Sequence, residues 1–496
     1  MARRRLPLVL SLDVGSTSVR ARVYDAAGRP LKEADASLEH PMPTSSDGGS
    51  EDDAGSIARD VESAIDGALR GVQAAGEDIA GVGLSTYAGN VLGVDGTGRA
   101  VTPVYTYADA RSAPDVAALR KAFDSDERYD RTGAPIHTAY QAPRLAWVKR
   151  ERPALLRKTR RWIDLGSYLY GRWLAAGEVP TSYSMASWSG MLDRRRLEWD
   201  LPTVAAIGID PRTLPPLADY SDGVQKLAPA YRKRWPALAG ATFFLAVGDG
   251  AAANVGIGAV GRAACALTAG TTGALRVVVE GTPPPVPRGL WAYRLDARHS
   301  LMGGAITDAG SLFSWLTRNL RVPGRKALEQ AIAEMPPASH GIDVMPFLRG
   351  ERSPGWATNA TAAWVGVRAT TTPAALVRAS LEAIAFRFVL IWEKLREVVD
   401  AQEIMVGGRA IRSSPAWMQI LADCLQMPLI EATEKGTSTR GIALMTLRAL
   451  GVIASYDSIR VAQLERYTPN RSAGRVYQRA LARHKALYDT LIAVQN

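Results

Sequence analysis

The sequence predicts an α/β protein made of two facing halves with a cleft between them, and three observations predict it. An apolar run, Leu8 to Leu12, leads through the turn Asp13-Val14-Gly15-Ser16-Thr17-Ser18 into an alternating segment. The same plan returns at Ala264 to Ala269, Gly270-Thr271-Thr272-Gly273 and Leu275, Val277 and Val279, with Gly15 and Gly270 255 positions apart in a chain of 496. Strand and helix candidates alternate through both halves, and no low-complexity linker separates them.

Composition excludes other classes. Apolar residues are 47% and charged residues 22%, with 45 Gly and 29 Pro, which is ordinary for globular chains and rules out disorder and coiled coil. Two cysteines, Cys265 and Cys424, can build neither a disulfide scaffold nor a four-ligand zinc site, and read as small buried hydrophobes in a reducing compartment. No apolar run reaches the roughly 18 residues of a membrane span. The start, MARRRLPLVLSLDVG, imitates a secretion signal, but Asp13 interrupts the run and no cleavage site follows, so a buried strand and a cytoplasmic protein are expected. The net charge of +11 raises nucleic acid as a partner; the arginine clusters are short and lack interleaved aromatics, so a solvated basic surface is expected instead.

The elements follow in order. Leu8 to Leu12 suits a strand covered on both faces, while Val19, Ala21 and Val23 alternate with Arg20, Arg22 and Tyr24 as in a half-buried one. Ile79 to Ser85 reads as a strand, and 113–122, 141–149 and 162–176 as helices. Phe243 to Gly250 reads as one buried strand ending in an acid flanked by glycines, with a helix starting at Ala251. Residues 373–398 form a long amphipathic helix and 403–406 a short strand. The helix 415–425 has Ser414 as N-cap and Pro415 at its first position. Trp147, Trp162, Trp315 and Trp417 sit at helical spacing and belong to the core, whereas Trp356 lies in a loop and is the tryptophan expected nearest a ligand.

Gly/Ser/Thr turns aim several backbone N–H groups at one spot and so form either an anion nest or a plain hairpin turn. Hydroxyls at Thr17, Ser18, Thr271 and Thr272 add donors. Asp13 beside the first turn would repel a phosphate unless Mg²⁺ lay between them, or else caps the turn. Asp249 sits at the carboxyl end of a strand, where open sheets bind ligands, and suits a general base or a helix N-cap. Together these features describe phosphoryl transfer without a P-loop, since no Gly-x-x-x-x-Gly-Lys-[Ser/Thr] occurs.

DVGSTSVR at 13–20, VGDGAAANVG at 247–256, AGTTGAL at 269–275 and GGRAIRSSPAWMQILAD at 407–423 resemble the FGGY family of carbohydrate kinases. The likeness extends to YTYADAR at 105–111, SMASWSGMLD at 184–193, YRLDARHSLMGGAITDAG at 293–310 and PFLRGERSPGW at 346–356, and is greatest to gluconokinase-like members. It implies two ribonuclease-H-like domains of the actin and hexokinase superfamily, residues 1–248 mainly for sugar and 249–496 mainly for nucleotide. By the same likeness Asp249 is the base and touches the acceptor, while Asp13 holds Mg²⁺ through water. Thr17, Ser18 and Arg20 lie by the phosphates of ATP. Gly270, Thr271 and Thr272 contact the β- and γ-phosphates, and Gly408, Ala410 and Ser414 line the adenosine pocket. Asp109 and Arg111 stand on the sugar side. His137 either lines the sugar site or is an ordinary loop histidine, and Asp308 either approaches the nucleotide or does not.

Three departures stand out. Ala88-Gly89-Asn90 replaces a segment in which many members carry a sugar-recognising histidine, Tyr107 replaces a tryptophan, and Arg409 follows Gly408 where glycine is common, to stack on adenine or crowd it. The resemblance implies ATP-dependent phosphorylation of a terminal hydroxyl, gluconate preferred, with D-xylulose or another ketose or polyol as the alternative acceptor and a non-catalytic sugar or nucleotide sensor as the contrasting class. Neither nucleic acid nor a membrane is an expected partner, and a homodimer is one of the assemblies left open.

Overall fold

The computed structural model describes residues 5–74, 76–432, 436–458 and 461–492, without the side chains of Ala74 and Arg409. The expectation for the Arg409 side chain therefore falls outside the described residues. Strand β1 (Leu8–Val14) is buried along its whole length, as its unbroken apolar run requires. It turns back at Gly15, whose N–H donates to Ser18 O at 3.0 Å, into β2 (Ser18–Tyr24) and then β3 (Pro30–Glu39). Helix α1 (Ala54–Ala74) crosses over to β4 (Ile79–Thr86), which runs parallel to β1.

The expected strand 243–250 is two short pieces, β5 (Thr242–Phe243) and β6 (Val247–Gly248), both parallel to β4. The chain leaves the ladder between them because Leu245 N–H donates to Tyr220 O at 3.0 Å, a partner far away in sequence. Helix α2 (Asp249–Gly256) starts on Asp249 itself, with Gly248 at the N-cap position, so Asp249 is not a cap.

The second sheet repeats the plan. Strand β7 (Ala264–Ala269) pairs antiparallel with β8 (Gly273–Glu280), β9 (Trp291–Arg294) pairs with β10 (His299–Ile306), and β10 pairs with β8. Helix α3 (Gly310–Asn319) follows, then α4 (Pro373–Leu395), which ends three residues before the expected boundary. Strand β11 (Glu403–Gly407) returns parallel to β7, and α5 (Pro415–Leu425) carries the predicted Ser414 cap, whose Oγ accepts from Trp417 N–H at 3.2 Å. Strand β12 (Leu429–Ala432), α6 (Thr437–Ala449), β13 (Gln463–Tyr467) and α7 (Arg471–Leu491) complete the half. The first sheet is a three-strand antiparallel meander extended by parallel strands, in the order β5-β4-β1-β2-β3; the second joins four antiparallel strands to the parallel β11 and β12 and ends on an antiparallel β13, in the order β9-β10-β8-β7-β11-β12-β13.

Two further readings need correction. The expected helix 162–176 is a strand pairing Arg161–Ile163 with Leu92–Val94, followed by a helix over Leu165–Trp173. Asp164 divides them, because its carboxylate accepts from Ser167 N–H at 3.0 Å and caps the helix. Trp162 is core as predicted but lies on that strand, and Trp315 is only half-buried, stacked on Trp364 with ring centroids 5.7 Å apart. Cys265 is buried and Cys424 half-buried, both as free thiols. Among the described residues no helix is long and apolar enough to cross a membrane.

Candidate active site

Three parallel neighbours bring the two acids together. Asp13 on β1 and Val247 on β6 both pair with Ser85 on the intervening β4, so all three stand at one level across the sheet. The chain then delivers Asp249 two residues beyond Val247, at the carboxyl ends of the strands. Ser85 Oγ donates to Asp13 Oδ1 at 2.7 Å. Burial pushes the Asp13 carboxyl up to about 6; the Ser85 hydrogen bond opposes this, the nearby Asp249 charge adds to it and Arg20 works against it. Asp249 is likewise raised by burial, countered chiefly by the Arg276 guanidinium, then by the N–H groups of Gly250 and Ala88, and by Arg352. Gly250 N–H donates to Asp249 Oδ1 at 2.8 Å.

Asp13 is buried and Asp249 half-buried, and two neighbouring carboxylates that repel each other form a place where a cation is favoured. Among the described residues only Ser85 hydrogen-bonds Asp13, and no group of three ligating side chains occurs. A cation held by one carboxylate, waters and phosphate oxygens is the usual arrangement for Mg²⁺, so the residues fit that ion.

A cleft of about 2110 Å³ has walls from both halves; Arg20, the partner of Asp13 across β1 and β2, lines it, whereas Asp13 and Asp249 themselves do not. Arg20, Gly270, Thr271, Gly408, Ala410 and Ser414 line it, together with Asp308, Trp315 and Trp417. Thr17, Ser18 and Thr272 belong to the same two turns but stand outside that lining. The 270–272 turn is fixed by its carbonyls: Gly270 O accepts from Gly310 N–H at 2.9 Å and Thr271 O from Ala309 N–H at 3.1 Å, which ties it to the start of α3. Gly408 has φ +101°, and a Cβ there would meet Ala269 O at 2.4 Å, so only glycine lets β11 turn this close to β7.

Some predicted residues are occupied by the protein itself. Ser414 Oγ donates to Glu329 at 2.8 Å while capping α5. The Asp308 carboxylate accepts from Leu348 and Arg349 N–H at 2.9 and 3.1 Å, so it faces the cleft as a loop anchor. Asp109 accepts from Arg111 Nε at 3.1 Å and Ser50 N–H at 3.2 Å, and the Arg111 guanidinium lies 4.3 Å over Trp147; among the described residues no hydrogen bond or ion pair joins either to Asp249. Asn90, in the departing segment, is fully buried, donating to Thr86 Oγ1 at 3.1 Å and accepting from Leu165 N–H at 2.7 Å.

His137 is buried, with its ring 5.1 Å from that of Trp356. Its Nδ1 accepts from Ala139 N–H at 3.1 Å, which leaves Nε2–H as a donor. Burial and then the charges of Arg352, Arg120 and Arg144 depress it to about 3, and burial does the same to His484. The sign follows from linkage. Between the ordinary histidine value of 6.5 and about 3 the unfolded chain binds two protons that the folded chain refuses, so this stability is present above pH 6.5 and lost as pH falls. Urea midpoints should drop on acidification, and His484→Gln should flatten the fall by about 1.4 kcal/mol per pH unit; an unchanged slope would remove His484 from the account.

Sequence reasoning missed a buried aromatic cluster beside Asp249. Trp188 stacks on Tyr293 at 3.8 Å and packs on Gly248, next to Asp249; Trp291 stacks on Tyr293 at 4.5 Å and lies 5.5 Å from Trp188, so the three rings form one cluster. Tyr140 and Tyr293 share a hydrogen bond, and Tyr140 reaches Trp356 at 6.3 Å. Arg276, inside β8, was also missed: its Nη1 donates to Gly250 O at 2.9 Å. Aromatics in SMASWSGMLD and YRLD, and an arginine within a covered strand, were the available signals.

A deep acid pair, two Gly/Thr turns and a two-sided cleft are the parts of a phosphoryl-transfer site. The family models for the N-terminal and C-terminal domains of FGGY carbohydrate kinases match residues 8–256 and 265–450. The chain belongs to the FGGY family of carbohydrate kinases. It is accordingly an enzyme of the phosphotransferase class with an alcohol acceptor, in the two-domain actin and hexokinase-like fold, and ATP is the donor that such kinases use. A gluconokinase of Bacillus subtilis is 24% identical over 95% of this chain and 93% of its own. The structure of a gluconate kinase from Lactobacillus acidophilus superposes with TM-score 0.90 at 23% identity, covering 98% of each chain. A xylulose kinase from the same organism gives 0.91 at 24% identity with the same coverage, so fold alone does not separate acceptors among FGGY kinases.

Proposed function

We propose that this FGGY kinase phosphorylates a terminal hydroxyl of a small sugar acid, with gluconate as the preferred acceptor, ATP as donor and Mg²⁺ held by Asp13. The observation carrying the reading is Asp249 at the strand ends, raised in pKa, next to Asp13 and beside the aromatic cluster. The likeness to gluconokinases supports gluconate over other acceptors.

The sugar sits against the half 1–248, with Asp109, Arg111 and His137 on its side, and the nucleotide against 249–496. The hydroxyl oxygen attacks the γ-phosphorus in line as Asp249 takes its proton, and the bond from phosphorus to the bridging oxygen of the departing ADP breaks. Arg276 steadies the base in its ionised form. Bound Mg²⁺ supplies charge neutralisation for the phosphates. Thr17, Ser18, Arg20 and the Gly270, Thr271 and Thr272 turn orient the phosphates, and Gly408, Ala410 and Ser414 hold the adenosine. Closure of the halves excludes water and limits idle ATP hydrolysis.

The test is ATP consumption across D-gluconate, D-xylulose and glycerol, with the product identified. Gluconate should give the highest kcat/KM and carry phosphate on its terminal carbon. A ketose or glycerol preferred over every aldonate would replace it as the acceptor.

A further inference from the structure

Burying a guanidinium is expensive unless an anion or neutral oxygens take its N–H groups, and the chain's buried arginines show both solutions: Arg144 donates to Gly89 O and Thr138 O, each at 2.7 Å. Arg378 pairs with Glu382 at 2.6 Å, Arg194 with Asp130 at 2.8 Å, and Arg387 with Glu351. Arg352, a half-buried residue, has neither kind of partner. Its Nε is buried without a partner, and among the described residues its side chain makes neither hydrogen bond nor ion pair.

The backbone fixes where Arg352 stands. Ser353 N–H donates to Ala305 O at 2.9 Å on β10, two residues beyond Gly303, which pairs with Arg276 on β8. Arg352 O accepts from Trp356 N–H at 2.7 Å, and Trp356 packs on His137 and Tyr140. Arg352 thus stands between the His137–Tyr140 side of the site and the Asp249–Arg276 side, and its charge is felt by His137, Tyr140, Tyr293, Arg276 and Asp249 alike. Arg276 meets only neutral oxygens, Gly250 O and Thr268 Oγ1, and its Nε is also buried and unpartnered. Both cations act on Asp249, and among the described residues neither makes an ion pair, so Arg352 has guanidinium N–H groups to offer a further anion.

We propose that Arg352, with the Nε2–H of His137 beside it, forms a subsite for the carboxylate of an aldonate whose far hydroxyl meets Asp249. The subsite rests on the reading of the chain as a sugar-acid kinase and supplies what that reading lacks, a residue that separates acids from neutral sugars. A guanidinium binds a carboxylate through two parallel hydrogen bonds and rejects a neutral group at the same position, because its own charge is then buried unpaired.

The experiment compares D-gluconate with D-gluconamide, its uncharged analogue, by calorimetry in the presence of ADP, in wild type, Arg352→Gln and Arg352→Lys, alongside kinetics with gluconate and D-xylulose. Wild type should bind gluconate at least about tenfold more tightly than the amide. Arg352→Gln should erase that preference and raise KM for gluconate far more than KM for D-xylulose while leaving KM for ATP within about twofold, any change in kcat through Asp249 being common to both acceptors, and Arg352→Lys should keep part of the preference. Equal binding of acid and amide by the wild-type protein, which needs no variant to fold, overturns the subsite. So does an equal rise in KM for gluconate and xylulose or a raised KM for ATP, either of which would assign Arg352 to the phosphates. If only neutral sugars are phosphorylated, the subsite falls and the kinase assignment stands. If gluconate binds through Arg352 but is not phosphorylated, the subsite stands and the acceptor reading falls.

Discussion

Asp249→Asn should fold as wild type does, bind ATP and acceptor with little change, and lose at least about 10²-fold in kcat, as removal of a general base does. Asparagine preserves the shape and the hydrogen bond from Gly250 N–H, so packing at the start of α2 is kept. What is lost is the charge that accepts the hydroxyl proton. The pH profile makes the test specific. Burial raises the Asp249 carboxyl, so the acid limb of kcat/KM in wild type should lie above the ordinary carboxylate range, with activity rising as the base ionises. The asparagine variant should show its residual activity without that limb. Full activity in the variant, or an unchanged limb, would take Asp249 out of the mechanism and leave positioning by the turns as the source of the rate.

Why Asp249 was visible in the sequence while Arg276 was not is a matter of which forces are local. An acid between glycines at the end of an apolar run announces a strand end, and the sheet register then brings it level with Asp13 through Ser85. The repeated strand–turn–strand units were legible for the same reason, since alternation and turn residues are short-range properties. Arg276 sits between Leu275 and Val277, where alternation reads an arginine as solvent-facing. It is buried because helices cover the sheet, and that packing depends on residues remote in the chain. The gap between β5 and β6 has a similar origin in the bond to Tyr220. Asn90 looked like a missing sugar contact and is a buried tie between Thr86 and Leu165, a partner set no local pattern encodes. Trp356 lay in a predicted loop, yet only the tertiary structure puts its ring against His137.

The second large effect is expected at Glu351, which holds the loop that carries Arg352 and Trp356. Glu351 is 2% exposed; it accepts from Gly355 and Ala357 N–H at 3.1 and 3.4 Å, and from the Arg387 guanidinium and the Tyr488 hydroxyl. The loop is so tight that a Cβ on Gly355 would fall 2.0 Å from the Tyr488 oxygen. Glu351→Ala leaves Arg387, itself 2% exposed, as a buried cation without its anion, a change that costs about 3–5 kcal/mol. Chemical denaturation should show that loss, and Glu351→Gln a smaller one because it keeps hydrogen-bonding capacity. Removing both charges, as Glu351→Leu with Arg387→Met, should recover much of the stability, since an apolar pair of similar volume often replaces a buried ion pair without loss. Acceptor KM should stay impaired in that double variant, because nothing then ties Gly355 and Ala357 into the shape that presents Arg352. Recovery of both stability and KM would mean that Glu351 serves only to neutralise Arg387, and that the loop holds its form without it.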